Sequence, residues 1–112
     1  MIEIRRDHDN ELCGFVKPSD DVWLACTVFG AAIGRHAEQE QAIDQVLAEG
    51  LSSLTDHWSL TNTATGETEL VRIQEANPTS VTVALGYYSL PGVPSVRIER
   101  QAIDAGEWRF ER

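Results

Sequence analysis

The strongest structural pattern in the chain is the segment EQEQAIDQVLAEGLSSL, residues 38–54. Its apolar side chains recur at the i, i+3, i+4 and i+7 spacing that places them along one face of an α-helix. Gly50 costs about 1 kcal/mol relative to alanine inside a helix, so we expect an irregular last turn or close packing there. The segment therefore predicts one amphipathic helix. Its apolar stripe consists of Ala42, Ile43, Val46, Leu47, Gly50, Leu51 and Leu54.

Three strand-like segments precede the helix, and they cover residues 12–17, 22–29 and 31–36. They are rich in β-branched and aromatic residues and are separated by turn-forming residues, which favours strands. The alternative is that residues 20–33 form a helix with Ser19 as its N-cap, because the apolar residues there also fit one helical face. We expect strands at this position.

The first two strands predict a hairpin that is apolar on both faces. If residues 18–21 close it symmetrically, Cys13 faces Cys26 across the two strands. The helix can cover one face, so the second cover must come from another layer of the chain or from a second copy. In a reducing compartment we expect two buried thiols; a disulfide and an activated thiolate are the alternatives.

After the helix the apolar pattern changes to a period of two residues. Strand-like segments cover residues 58–61, 70–75, 81–87 and 96–103, and residues 108–110 add a short edge strand. Short turns between such segments are typical of an antiparallel meander. The sequence thus predicts an α+β fold with an antiparallel sheet of five to seven strands. It comprises an N-terminal hairpin, one central helix and a C-terminal β-meander, and we expect residues 1–112 to form a single domain.

The net charge of the chain restricts the kinds of macromolecule that it is expected to bind. Eighteen acidic residues against nine Lys and Arg give a net charge of −9, which repels phosphate backbones, so we expect no direct nucleic-acid binding.

Neither a secretory signal nor a run of about 18 apolar residues is apparent, which predicts a cytoplasmic protein without membrane contact. Asp7-His8-Asp9 is expected to be a polar surface turn, since neighbouring side chains point apart. No motif for a metal or cofactor is present, and we predict none.

A loop stiffened by prolines, residues 87–95, is the most suggestive recognition segment, because rigid aromatic side chains lose little entropy on binding. The alternative is that its tyrosines complete the core. Together with the apolar strands, the loop predicts a small non-enzymatic binding or interaction module that self-associates, as a homodimer or larger, through apolar strand faces. The predicted contact residues are Trp23, Phe29, Tyr87, Tyr88, Leu90 and Val93.

Two other functions fit the sequence. An acidic inhibitor or immunity-type protein would dock its carboxylates on a basic protein partner. A small enzyme or ligand carrier would hold an apolar ligand in a pocket between helix and sheet. The predicted lining of that pocket consists of Trp58, Tyr87, Tyr88 and either His57 or His36.

Overall fold

The computed structural model describes residues 1–85 and 94–112. In this part, nine strands form two antiparallel sheets, one of four strands and one of five. The predicted α+β class with antiparallel pairing is confirmed. The sheet count is corrected, because nine strands in two sheets replace one sheet of five to seven strands. The difference arises because each half of the chain pairs its strands separately, and because the N-terminal segment adds a strand that its sequence pattern did not predict.

The first sheet consists of β1 Ile2–Arg5, β2 Leu12–Ser19, β3 Val22–Cys26 and β4 Ala32–His36, and α1 Gln39–Glu49 follows it. The four strands pair in sequence order, and α1 packs across one face of them. The helical alternative for residues 20–33 is wrong, because the two strands in that region pair with each other.

The hairpin of β2 and β3 closes with a two-residue turn instead of the predicted four-residue turn. Asp20 makes this possible by adopting a left-handed backbone with φ of 55°, which aspartate tolerates better than most residues. The register therefore differs from the symmetric prediction, and Cys26 pairs with Phe15 rather than with Cys13. Both cysteines are free and buried, as the favoured prediction had it.

Helix α1 is shorter than predicted. It ends one residue before Gly50, and a turn of 3-10 helix, Ser52–Thr55, continues the chain. Gly50 lies so close to the carbonyl oxygen of Cys13 that a Cβ would collide with it, which confirms the expected close packing. Ala42 and Val46 are fully buried and form the part of α1 that covers the first sheet.

The second sheet is built from the remaining elements. They are β5 His57–Asn62, β6 Thr68–Ala76, β7 Ser80–Leu85, β8 Ser95–Glu99, α2 Arg100–Asp104 and β9 Trp108–Glu111. The strand order is β8-β7-β6-β5-β9, so the last strand pairs with β5 and forms the predicted short edge strand. The predicted strand over residues 96–103 is wrong in its second half, because the chain turns into α2 at Arg100.

The connection between β3 and β4 covers much of the inward face of the second sheet. Phe29 has no exposed surface and packs edge to face on Trp58 and Phe110, with ring centroids 5.8 and 5.0 Å apart. Phe15 and Cys26, on the hairpin face away from α1, are buried as well. The second cover that the hairpin needs is therefore supplied by the same chain.

Candidate functional site

The predicted contact residues do not form one surface in the described part of the chain. Four of them lie outside the described residues: Tyr87, Tyr88, Leu90 and Val93. Phe29 belongs to the core and offers no surface to a partner. Trp23 is half-buried and packs beside the cluster under α1, on the first sheet.

The predicted pocket between helix and sheet is also not formed by the described residues. Trp58 is fully buried, and its indole N–H donates to the carbonyl oxygen of Ser53 at 2.9 Å. His36 lies on the other sheet, with its Nε2 2.6 Å from Oε1 of Gln45. His57 is exposed on β5. Helix α1 and Trp58 pack on different sheets, so the residues predicted to line one pocket are separated.

Residues 1–85 and 94–112 contain neither a cluster of metal-ligating side chains nor a membrane-spanning helix. No group of three or more His, Cys, Asp or Glu side chains there is arranged to hold a metal ion. None of the helices in these two ranges is long and apolar enough to cross a membrane. The Asp7-His8-Asp9 segment forms an exposed turn, as expected from its sequence.

A groove of about 110 Å³ opens at one end of the second sheet. It lies where the inward face of the sheet extends past the β3–β4 connection, and all five strands contribute to it. We call it the acidic groove. Its main lining residues are Leu60, Glu67, Glu69, Leu85, Val96 and Trp108.

The two glutamates point to the inward side because strand residues alternate between faces. Glu69 is two residues before Val71, which is fully buried, and pairs with Leu60 of β5. Glu67 lies two residues further upstream on the same side. Both residues are exposed, and neither side chain has a hydrogen bond or ion pair within the described ranges. Two unpaired carboxylates therefore border an apolar floor.

The turn between β5 and β6 fixes the position of Glu67. The Gly66 N–H donates to the Asn62 carbonyl at 2.7 Å, and the Asn62 N–H donates to the Glu67 carbonyl at 2.9 Å. Gly66 has φ of 77°, a conformation that favours glycine. The hydroxyl of Thr65 accepts a further bond from the Glu67 N–H at 3.2 Å. The acidic rim is thus held by a fully hydrogen-bonded turn.

Trp108 forms the wall of the groove at the β9 edge, and the end of α2 sets its position. Gly106 ends the helix with φ of 79°, and its N–H donates to the Ile103 carbonyl at 3.0 Å. The hydroxyl of Thr63, in the β5–β6 turn, donates to the Gly106 carbonyl at 2.6 Å. The two turns beside Trp108 are therefore tied together.

A second groove, of about 390 Å³, lies on the other side of Trp108 at the junction of the two sheets. We call it the junction groove. Much of its floor is small residues and backbone, and its lining includes Gly30, Ala31, Thr63, Ile103, Trp108 and Phe110. Trp108 is the residue that both linings share. We call the two grooves together the Trp108 surface.

The polar side chains of this surface are few. The described residues that line the two grooves include the carboxylates of Glu67 and Glu69 and no Cys, His, Lys or Ser. No protein-family model matches this chain, and no curated protein or solved structure matches it. The Trp108 surface was not predicted from the sequence. The available signal was the alternation of Glu67 and Glu69 with the buried Val71, together with an aromatic residue on the edge strand.

Proposed function

We propose that this chain is a small non-enzymatic binding module and that the Trp108 surface is its binding site. The observation that carries the proposal is that, among the described residues, the inward, apolar face of the second sheet continues past the β3–β4 connection that covers it. Leu85, Val96 and Trp108 are half-buried there, whereas their neighbours under the β3–β4 connection are fully buried. Partly exposed apolar surface with a tryptophan at its centre is typical of binding sites.

The size of the acidic groove favours a side chain of a protein partner, whereas the junction groove, at about 390 Å³, also has room for a small ligand. Sites for drug-sized ligands and cofactors occupy about 300–1,000 Å³, and a cavity of about 150 Å³ holds a benzene molecule. The acidic groove, at about 110 Å³, accommodates one group of side-chain size. The junction groove lies directly beside it, across Trp108. Two neighbouring side chains of a partner protein, one on each side of the indole, fit this arrangement.

The other expectations from the sequence have uneven support. Self-association through strand faces stays a prediction, but Phe29 does not support it because its side chain is buried. A cytoplasmic location stays part of the proposal, and the free thiols of Cys13 and Cys26 agree with a reducing compartment. The alternative of an acidic protein that docks on a basic partner is supported by the unpaired Glu67 and Glu69.

Nuclear magnetic resonance with a neutral apolar probe tests the proposal. When benzyl alcohol is added to the ¹⁵N-labelled protein, we expect the largest shifts at the indole N–H of Trp108 and the amides of Thr63 and Val96. Trp108→Ala removes these shifts. Trp23→Ala is the matched control, because Trp23 is also half-buried but lies on the first sheet. Shifts centred elsewhere, or unchanged binding in Trp108→Ala, contradict the proposal.

A further inference from the structure

The acidic groove combines apolar walls with negative charge that the described part of the protein does not neutralise. Glu49, by contrast, accepts from Arg112 at 3.0 Å. Glu67 and Glu69 have no such partner within the described ranges. A neutral apolar occupant would remove water from these two carboxylates without replacing it, which is unfavourable. An occupant that brings positive charge is therefore expected to bind the groove more tightly than a neutral one.

We infer that the acidic groove binds the side chain of a lysine or arginine carried by a partner protein. This inference rests on the proposed function and names the chemistry of the partner. Basic side chains place an apolar stem on apolar surface and keep the charged head near water or a counter-ion. Leu60, Leu85 and Val96 provide the surface for the stem, and the two glutamates border it where the head would lie.

Three further features agree with this occupant. The indole of Trp108 lines the groove, and tryptophan is the aromatic side chain that attracts cations most strongly. The volume of about 110 Å³ suits one extended aliphatic stem with its head group. The net charge of −9 attracts a basic partner from a distance and speeds its association. A divalent metal ion is a poorer occupant, because the described residues supply no third acidic, His or Cys ligand there.

The test compares two small cations, which resemble the end of a lysine or an arginine side chain, with a neutral alcohol of similar shape. Titrations followed by nuclear magnetic resonance give the affinity for n-butylammonium, propylguanidinium and n-butanol, the neutral isostere of n-butylammonium. Because exposed ion pairs are individually weak, we expect the two cations to bind only about 5 to 10 times more tightly than n-butanol. This preference decreases when the salt concentration is raised, as screening requires.

A pair of double variants separates local charge from net charge. In Glu67→Gln/Glu69→Gln, the preference for the cations over n-butanol is lost. In Glu38→Gln/Glu40→Gln, which removes the same charge from the start of α1, the preference is retained. Equal cation affinity in the two double variants, or equal binding of n-butanol and n-butylammonium by the unmodified protein, overturns the inference.

The outcomes also distinguish the inference from the proposed function. If benzyl alcohol binds at Trp108 while the cations show no preference for the groove, the surface is a binding site and the basic occupant is wrong. If benzyl alcohol does not bind at Trp108 and the cations do not bind in the acidic groove, both the inference and the proposed function fail.

Discussion

The guanidinium of Arg100 lies 5.0 Å from the ring centroid of Phe15. Phe15 belongs to β2 of the first sheet, whereas Arg100 begins α2 beside the second sheet, so this cation–π contact joins the two halves of the chain. The side chain of Arg100 is almost fully buried, and its Nε donates to the carboxylate of Asp104 at 3.1 Å. Gly30 passes so close to the guanidinium that a Cβ would collide with it. The position of the junction groove depends on this contact, since its lining comes from both halves.

Replacing the buried guanidinium of Arg100 is expected to destabilise the fold. Arg100→Met keeps an apolar stem but loses the hydrogen bonds to Asp104 and to the Pro78 carbonyl, so we expect a loss of about 2 kcal/mol in the free energy of unfolding. Urea denaturation measures it. Arg97→Met is the control: Arg97 pairs with Glu99 on the exposed surface, and its loss should cost less than about 0.5 kcal/mol. Equal effects of the two substitutions would contradict the role given to Arg100.

Phe29 distinguishes a core role from an interface role. Because its ring is buried against Trp58 and Phe110, Phe29→Ala is expected to lower the free energy of unfolding by about 3–5 kcal/mol. Leu70→Ala, at an exposed position, should change it by no more than about 0.5 kcal/mol. Denaturation curves and sedimentation of both variants provide the comparison. A Phe29→Ala protein of unchanged stability but altered oligomeric state would show that Phe29 is an interface residue after all.

A glycine on β4 makes room for a hydrogen-bonded glutamine. A Cβ at Gly34 would collide with the side-chain amide of Gln45, which donates to the Ile33 carbonyl at 3.1 Å and lies 2.6 Å from His36. Gly34→Ala and Gln45→Ala should each cost about 1–2 kcal/mol. The double variant should cost clearly less than the sum, because both changes remove the same bonds. Additive losses in a double-mutant cycle would contradict this coupling.

The two thiols predict a loss of stability at high pH. Burial raises the pKa of Cys13 and of Cys26 above the ordinary value of 9.0. Above pH 9 the unfolded chain loses these protons while the folded protein retains them, so the free energy of unfolding falls as pH rises. Well below pH 9, where both the folded and the unfolded chain keep the thiol protons, these groups contribute no pH dependence. In Cys26→Ala, denaturation curves between pH 8 and 10.5 should show a shallower fall than in the unmodified protein. If the free energy of unfolding falls equally steeply with pH in Cys26→Ala and in the unmodified protein, the pKa of the Cys26 thiol is not raised by folding.

Local sequence pattern predicted the helix, most strands and the antiparallel class, because these depend on residue periodicity over short distances. The register of the first hairpin was not predictable in the same way, since the backbone of Asp20 alone decides between a two-residue and a four-residue turn. The packing of the first half of the chain on the second sheet involves Phe29, which contacts Trp58 and Phe110 across long sequence separations. No local pattern contains that contact.

The candidate site was partly readable from the sequence. Extending the period of two upstream from Val71 places Glu69 and Glu67 on the inward face. The sequence does not reveal where the β3–β4 connection stops covering this face among the described residues, because the extent of a cover depends on how distant segments pack. The same limitation explains why Phe29 was predicted to contact a partner.

A crystal structure of the protein soaked with n-butylammonium tests the central claim most directly. We expect the butyl chain to lie beside Trp108 and the ammonium to lie within about 3 Å of a carboxylate oxygen of Glu67 or Glu69. Density for the probe at a different site, or a groove filled by the protein's own side chains, would contradict it.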